Sequence, residues 1–157
     1  MIYFKKVQLA GNEKQLLETA MRKVAIKRMR SLDFTSAEHN MGSEKLFLGL
    51  DNNKDVKFTR LHTSLEKFFP KIIISFPKDD TIIGYRLRLG VFPTWLFAFL
   101  AMGLFATGFS ALINQEDYEA MAAPVVFLGI FILLTWFELK IVDRHMKRAV
   151  ERYEREN

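Results

Sequence analysis

The chain has 157 residues, about one domain by length, with 50% apolar residues, 26% charged residues and a net charge of +5. Its apolar and aromatic content excludes a disordered chain, and the lack of any cysteine excludes a disulfide-stapled scaffold. The mean hydropathy of +0.03 suits a soluble protein, but it averages two unlike parts. No Asp, Glu, Lys or Arg occurs in the 27 residues from Leu89 to Gln115, or in the 18 from Ala120 to Phe137.

Residues 1–90 are the only stretch long enough for a polar domain with its own core, and a core of that size is marginal. The N-terminus lacks the apolar run of a signal peptide, so the span that starts at residue 91 is expected to direct insertion itself. Ile2 to Leu9 alternates and predicts a strand. Gly11-Asn12 breaks it, with Asn12 as an expected N-cap. Glu13 to Arg30 reads as one helix, with Leu17, Ala20, Met21 and Val24 on one face. Its early glutamates and late basic residues suit the helix dipole. Ser31 to Ser43 has no periodicity and reads as a loop.

Four strands are expected next, at Lys45–Leu50, Val56–Leu61, Lys71–Phe76 and Ile82–Leu89. Asp51-Asn52-Asn53-Lys54 and Pro77-Lys78-Asp79-Asp80 are the turn signals of two hairpins. The run Ile72 to Ile74 suits a strand covered on both faces. Thr63 to Phe69 is ambiguous, with Ser64 able to cap a short helical turn. The order β-α-β-β-β-β places the domain in the α+β class.

Val91 to Ile113 is long enough, as a helix of roughly 35 Å, to cross a hydrocarbon core of about 30 Å. The second span, 124–141, is reached through an acidic loop, 114–123. A core helix in so short a chain would show a polar face, and neither segment does. Pro93 and Pro124 each suit the first turn of a helix. Trp95 and Trp136 suit anchors in one interfacial belt. Net charge is +7 before the first span, −3 in the loop and +1 after Phe137. Arg86, Arg88, Lys140, Arg144, Lys147 and Arg148 flank the spans and are candidates for the membrane surface, so both termini are expected in the cytoplasm. The protein is thus expected in the cell (inner or plasma) membrane as a two-pass protein.

Neither span interior carries an ionisable residue of the kind that marks ion pathways. Glu138 is expected at the cytoplasmic interface. Gly103, Thr107, Ser110 and Ala111 share a helix face of small residues, suited to packing the hairpin or to docking another membrane subunit. The tail, 142–157, is expected to continue the second span as a helix. Its stripe of Val142, Met146, Ala149 or Val150, and Tyr153 could pack on residues 1–90 or on a partner.

No catalytic, cofactor-binding or metal-binding motif emerges. His39, His62 and His145 are isolated, with His62 expected at the surface or half-buried. No serine has a nucleophile-elbow context. Asp79-Asp80 reads as a turn. No nucleic-acid motif accompanies the basic charge, so nucleic acid is not an expected partner. The sequence therefore points to a non-enzymatic integral membrane protein without cofactor: an accessory or scaffold subunit whose cytoplasmic domain binds a protein. The expected partners are membrane lipid and either a protein subunit or a second copy of the chain. The alternatives are a membrane-anchored small-molecule or lipid sensor and a membrane-resident immunity protein. With no native cysteine to interfere, a cysteine placed between Gln115 and Tyr118 should react with an impermeant thiol reagent in intact cells. Labelling at positions 5 or 152 instead would refute this topology.

Overall fold

A computed structural model describes residues 2–9, 11–29, 31–33, 45–62, 65–79, 84–114 and 118–156. In chain order the elements are β1 (Tyr3–Val7), α1 (Gly11–Lys23), β2 (Ala25–Arg28), β3 (Phe47–Asp51) and β4 (Asp55–Arg60). A 3₁₀ turn at Leu65–Phe68, β5 (Ile72–Pro77), β6 (Tyr85–Leu89), α2 (Val91–Asn114) and α3 (Tyr118–Glu156) follow. Residues 34–43 of the expected Ser31–Ser43 loop, the Ser64 cap, Asp80, the start of the last strand at Ile82 and the acidic residues Glu116 and Asp117 lie outside the described residues.

The strands form one sheet in the order β1-β6-β5-β4-β3-β2. Neighbours pair antiparallel from β1 through to β3, while β2 lies parallel to β3. α1 therefore carries the chain from one edge of the sheet, β1, to the other, β2. Gly84 sits where the chain enters β6, at φ +130°, and a Cβ there would lie 1.8 Å from the Val7 carbonyl oxygen. Only glycine meets both demands, so the β1 edge can close against β6.

The expected helix from Glu13 to Arg30 is corrected. α1 ends at Lys23, and Ala25–Arg28 pairs with Phe47–Leu50 as a strand. The Val24 carbonyl, instead of continuing the helix, accepts hydrogen bonds from the Leu46 and Phe47 amides at 2.9 and 3.4 Å. The apolar stripe of the helix is real as far as Val24. Beyond it, tertiary pairing overrides a weak helical preference. Lys27 and Arg28 then place charge on an edge strand, which discourages pairing with another chain. The added strand makes the order β-α-β-β-β-β-β, still α+β. α1 also begins at Gly11, so Asn12 lies inside its first turn instead of capping it.

Alternation along β5 divides the apolar residues between the two faces of the sheet. Ile72, Ile74 and Phe76 join Phe47, Val56, Phe58, Tyr85 and Leu87 beneath α1 and the C-terminal half of α3. Ile73 joins Leu32, Leu48 and Leu61 in a smaller cluster on the other face. All six residues of β5 are buried, as its apolar run predicts. Val142, Met146 and Ala149 of α3 are buried in the larger core with Ala20, Met21 and Val24 of α1. The tail thus packs on residues 1–90, and those residues do not complete their core without it.

α2 spans about 36 Å and α3 about 58 Å at the usual helical rise. Both are long and apolar enough to cross a membrane. They pack together along their apolar parts, with Phe97 and Phe131 rings 5.8 Å apart. Pro93 falls in the first turn of α2, but Pro124 is interior to α3. The helix-favouring Ala120, Met121, Ala122 and Ala123 extend α3 upstream to Tyr118.

Candidate functional site

The site is the joint where the sheet meets the bases of the two long helices. Two charged clamps and one apolar crevice form it.

The first clamp holds α3. Arg60 is the last residue of β4 and points to the helix-covered face. Its Nε donates to Glu138 Oε1 at 3.0 Å and its Nη2 to Oε2 at 2.7 Å. This is the two-pronged geometry in which arginine binds carboxylates most strongly. Arg60 Nη1 donates to Glu66 Oε2 at 2.9 Å, and the 3₁₀ turn supplies that carboxylate. His62 Nε2 donates to Glu138 Oε1 at 3.1 Å, since an ionised carboxylate can only accept. Arg60 is 3% exposed and Glu138 0%. Burial works against the Arg60 charge, but the hydrogen bonds and attraction from Glu138 and Glu66 outweigh it and hold its pKa above the ordinary value.

The second clamp holds α2. Arg88 of β6 donates from Nη1 and Nη2 to the two oxygens of Asp33, at 3.1 and 3.0 Å. Asp33 Oδ1 also accepts from the Val91 amide at 3.0 Å. That amide is the first of α2 and has no partner within its helix, so Asp33 caps the helix from a distant segment. Burial pushes the Asp33 carboxyl up, but the bonds from Arg88 and Val91 override it and hold the pKa below the usual carboxylate range. Lys71, also near Asp33, is lowered by burial.

The crevice lies between the β1–β6 edge and the paired helices. Ile2, Phe4, Leu89, Phe97, Phe131 and Trp136 are among its walls, and it encloses about 240 Å³. Thr135, also in its wall, donates its hydroxyl to the Phe131 carbonyl at 2.8 Å, leaving the lining almost wholly apolar. Among the described residues no three His, Asp or Glu side chains are placed to hold a metal ion.

The residues singled out in the sequence divide. Arg88 is 5% exposed and committed to Asp33, so it is a buried tether and not a free membrane-surface cation. Arg86 is half-buried beside it in β6, while Lys140, Arg144, Lys147 and Arg148 are exposed on α3. Trp95 and Trp136 are largely exposed, and Lys140 Nζ sits 3.7 Å from the centre of the Trp136 ring. Val142 and Met146 are buried, and Tyr153 packs on the same core beneath Lys23. Of the small-residue face, Ala111 is buried. Thr107 donates to the Gly103 carbonyl within α2 at 3.0 Å, and Ser110 is half-buried. Among the described residues, a Cβ built at Gly103 meets no atom within 4 Å, so Gly103 is not a close-packing point between the described parts of the hairpin.

Sequence reasoning missed the clamps. His62, expected at the surface or half-buried, is buried at 8% exposed, and Glu138 is an internal anchor. One signal was present: a lone carboxylate at the end of an apolar run needs a cation. Its partner stands 78 residues away, and 17 Lys and Arg precede the first span, so spacing could not select Arg60.

No protein-family model matches the chain, and comparison with curated proteins and with solved structures finds no match either. Geometry and charge alone therefore carry the functional reading.

Removing one member of a buried ion pair typically costs about 3–5 kcal/mol. Glu138→Leu and Arg60→Leu should each destabilise the full chain on that scale in thermal unfolding. The double variant should lose less than the sum, by a coupling of about 0.5–3 kcal/mol. Single losses within about 0.5 kcal/mol, as at ordinary surface sites, would show that the clamp does not hold α3. The Asp33 clamp has a pH signature. Because its folded pKa is depressed, its stabilisation is full above the unfolded value of about 3.9 and fades as pH falls through the folded value. Asp33→Asn should therefore melt below the parent at neutral pH, and the gap should narrow below about pH 4. A gap independent of pH would contradict the assignment.

Proposed function

We propose that this is a two-pass integral membrane protein whose sheet domain and tail lie together in the cytoplasm, serving as a non-enzymatic accessory or scaffold subunit of a membrane complex. The observation that carries the reading is the joint. Two buried charged clamps and a shared core hold the domain rigidly on its helices, as suits a protein that positions a surface at the membrane.

The exposure of the helices supports membrane placement. Phe99 and Phe105 are 72% and 75% exposed. Large apolar side chains facing outward along two such helices suit lipid, whereas a soluble core would bury them. The shared core supports both polar segments lying on one side, because residues 1–90 and the tail cannot pack together across a bilayer. The positive charge flanking the spans favours the cytoplasm for that side. The open surface at Gly103 supports an outward docking role for that end of the small-residue face, since no described side chain fills it.

Mild-detergent purification from native membranes should recover a stoichiometric protein partner or a homo-oligomer. Gly103→Leu should abolish that association while leaving the melting temperature within a few degrees of the parent. Recovery of a monodisperse monomer, with no effect of Gly103→Leu or of Tyr153→Ala, would refute the scaffold reading.

A further inference from the structure

The apolar crevice at the joint is too small for a typical soluble ligand. Its volume of about 240 Å³ falls below the roughly 300–1,000 Å³ of pockets that enclose small molecules. Its chemistry is equally restrictive, because among the described residues the only hydroxyl in its wall is that of Thr135, already bonded to the backbone of its own helix. Such a space suits a segment of hydrocarbon chain.

Two features say where that chain comes from. The first is continuity. Ile132 and Trp136 line the crevice, yet they are 54% and 50% exposed on the outer surface of α3. The crevice therefore opens onto the same apolar belt that the helices present to their surroundings. The second is charge. Trp136, Lys140 and Arg144 follow one another at four-residue spacing and lie along one exposed line of α3. Lys140 Nζ rests against the Trp136 ring at 3.7 Å, which leaves its ammonium hydrogens able to reach outward. Lys147 is paired with Asp143 at 2.9 Å. Among the described residues, Lys140 and Arg144 have no such carboxylate.

We propose that the crevice seats one acyl chain of an anionic phospholipid from the surrounding leaflet, with the headgroup phosphate held by Lys140 and Arg144. Trp136 forms the threshold between the two, with one face toward the chain and one toward the cation. This inference rests on the membrane placement proposed above, which the thiol-labelling experiment measures separately.

Trp95 and Trp136 are the only tryptophans of the chain, so Trp95→Phe leaves Trp136 as the reporter. The full chain with that change would be placed in nanodiscs of phosphatidylcholine with a minor fraction of phosphatidylglycerol. Brominated acyl chains would be carried by one lipid or the other. Quenching of Trp136 per brominated lipid should be about fivefold stronger for phosphatidylglycerol for each contributing cation. Lys140→Gln with Arg144→Gln should bring the ratio to one, and Lys140→Arg should keep it. Ile132→Phe, which enlarges an exposed wall residue, should also lower the ratio.

A ratio of one in the parent protein would overturn the proposal while leaving membrane placement intact. So would a ratio that survives loss of both cations. A ratio that ignores Ile132→Phe would mean headgroup attraction without a seated chain, or a crevice filled by another protein's side chain, and would also overturn it. Absence of quenching by either lipid would overturn the membrane placement and this inference with it.

Discussion

A carboxylate at the end of an apolar helix is costly unless something of opposite charge meets it, and in this protein Arg60 meets Glu138. The pair is fully buried, two-pronged and shared with His62 and Glu66. It fixes the rotation of α3, because only one face of that helix can deliver Glu138 to the end of β4. The stripe of Val142, Met146 and Ala149 then falls over the sheet by helical periodicity alone. A different rotation would bury the exposed basic line of Lys140 and Arg144 and expose the core stripe. Buried ion pairs contribute little net stability compared with apolar packing, and registry is their best-attested use. Here the register being set is that of a helix relative to a sheet.

The Asp33 clamp anchors the first turn of α2. The two clamps are built alike: a sheet arginine, a carboxylate from elsewhere in the chain, and the base of a long helix. They differ in what the carboxylate does besides. Glu138 belongs to the helix it anchors, whereas Asp33 caps α2 from outside through the Val91 amide. α2 is thus held by charge at its first turn and α3 at the end of its apolar run, with apolar contact between the two helices beyond, and the crevice lies where the paired helices meet the β1–β6 edge.

Much of this was legible in the sequence, for identifiable reasons. The two long helices follow from charge-free runs, and β3 to β6 from alternation and turn signals. The stripe in the tail is a local period, visible without knowing what it covers. β2 was not legible, because Ala25 to Arg28 continues a helical pattern and becomes a strand only through pairing with β3, about twenty residues further on. The clamps were not legible either. Arg88 alternates with Leu87 and Leu89 as an outward strand residue would, and nothing nearby in sequence shows that Asp33 lies opposite. Local periodicity reports which face a residue lies on, and it carries no record of what stands across from that face.

The contribution of α3 to the sheet core bears on how the protein is made. Domains generally fold as units as they emerge from the ribosome, but this one cannot finish when residues 1–90 have emerged. Its helix-covered face waits for Val142, Met146 and Ala149, which follow it by more than fifty residues. With the helices in a membrane, both must be inserted, and the chain returned to its starting side, before the sheet is closed. Until then Phe47, Phe58 and Ile74 lack part of their cover, and a hairpin inserted only halfway would leave them so. On the membrane placement proposed above, completion of the core would act as a check on topology, since residues 1–90 reach their full core only once Val142, Met146 and Ala149 have returned to the same side.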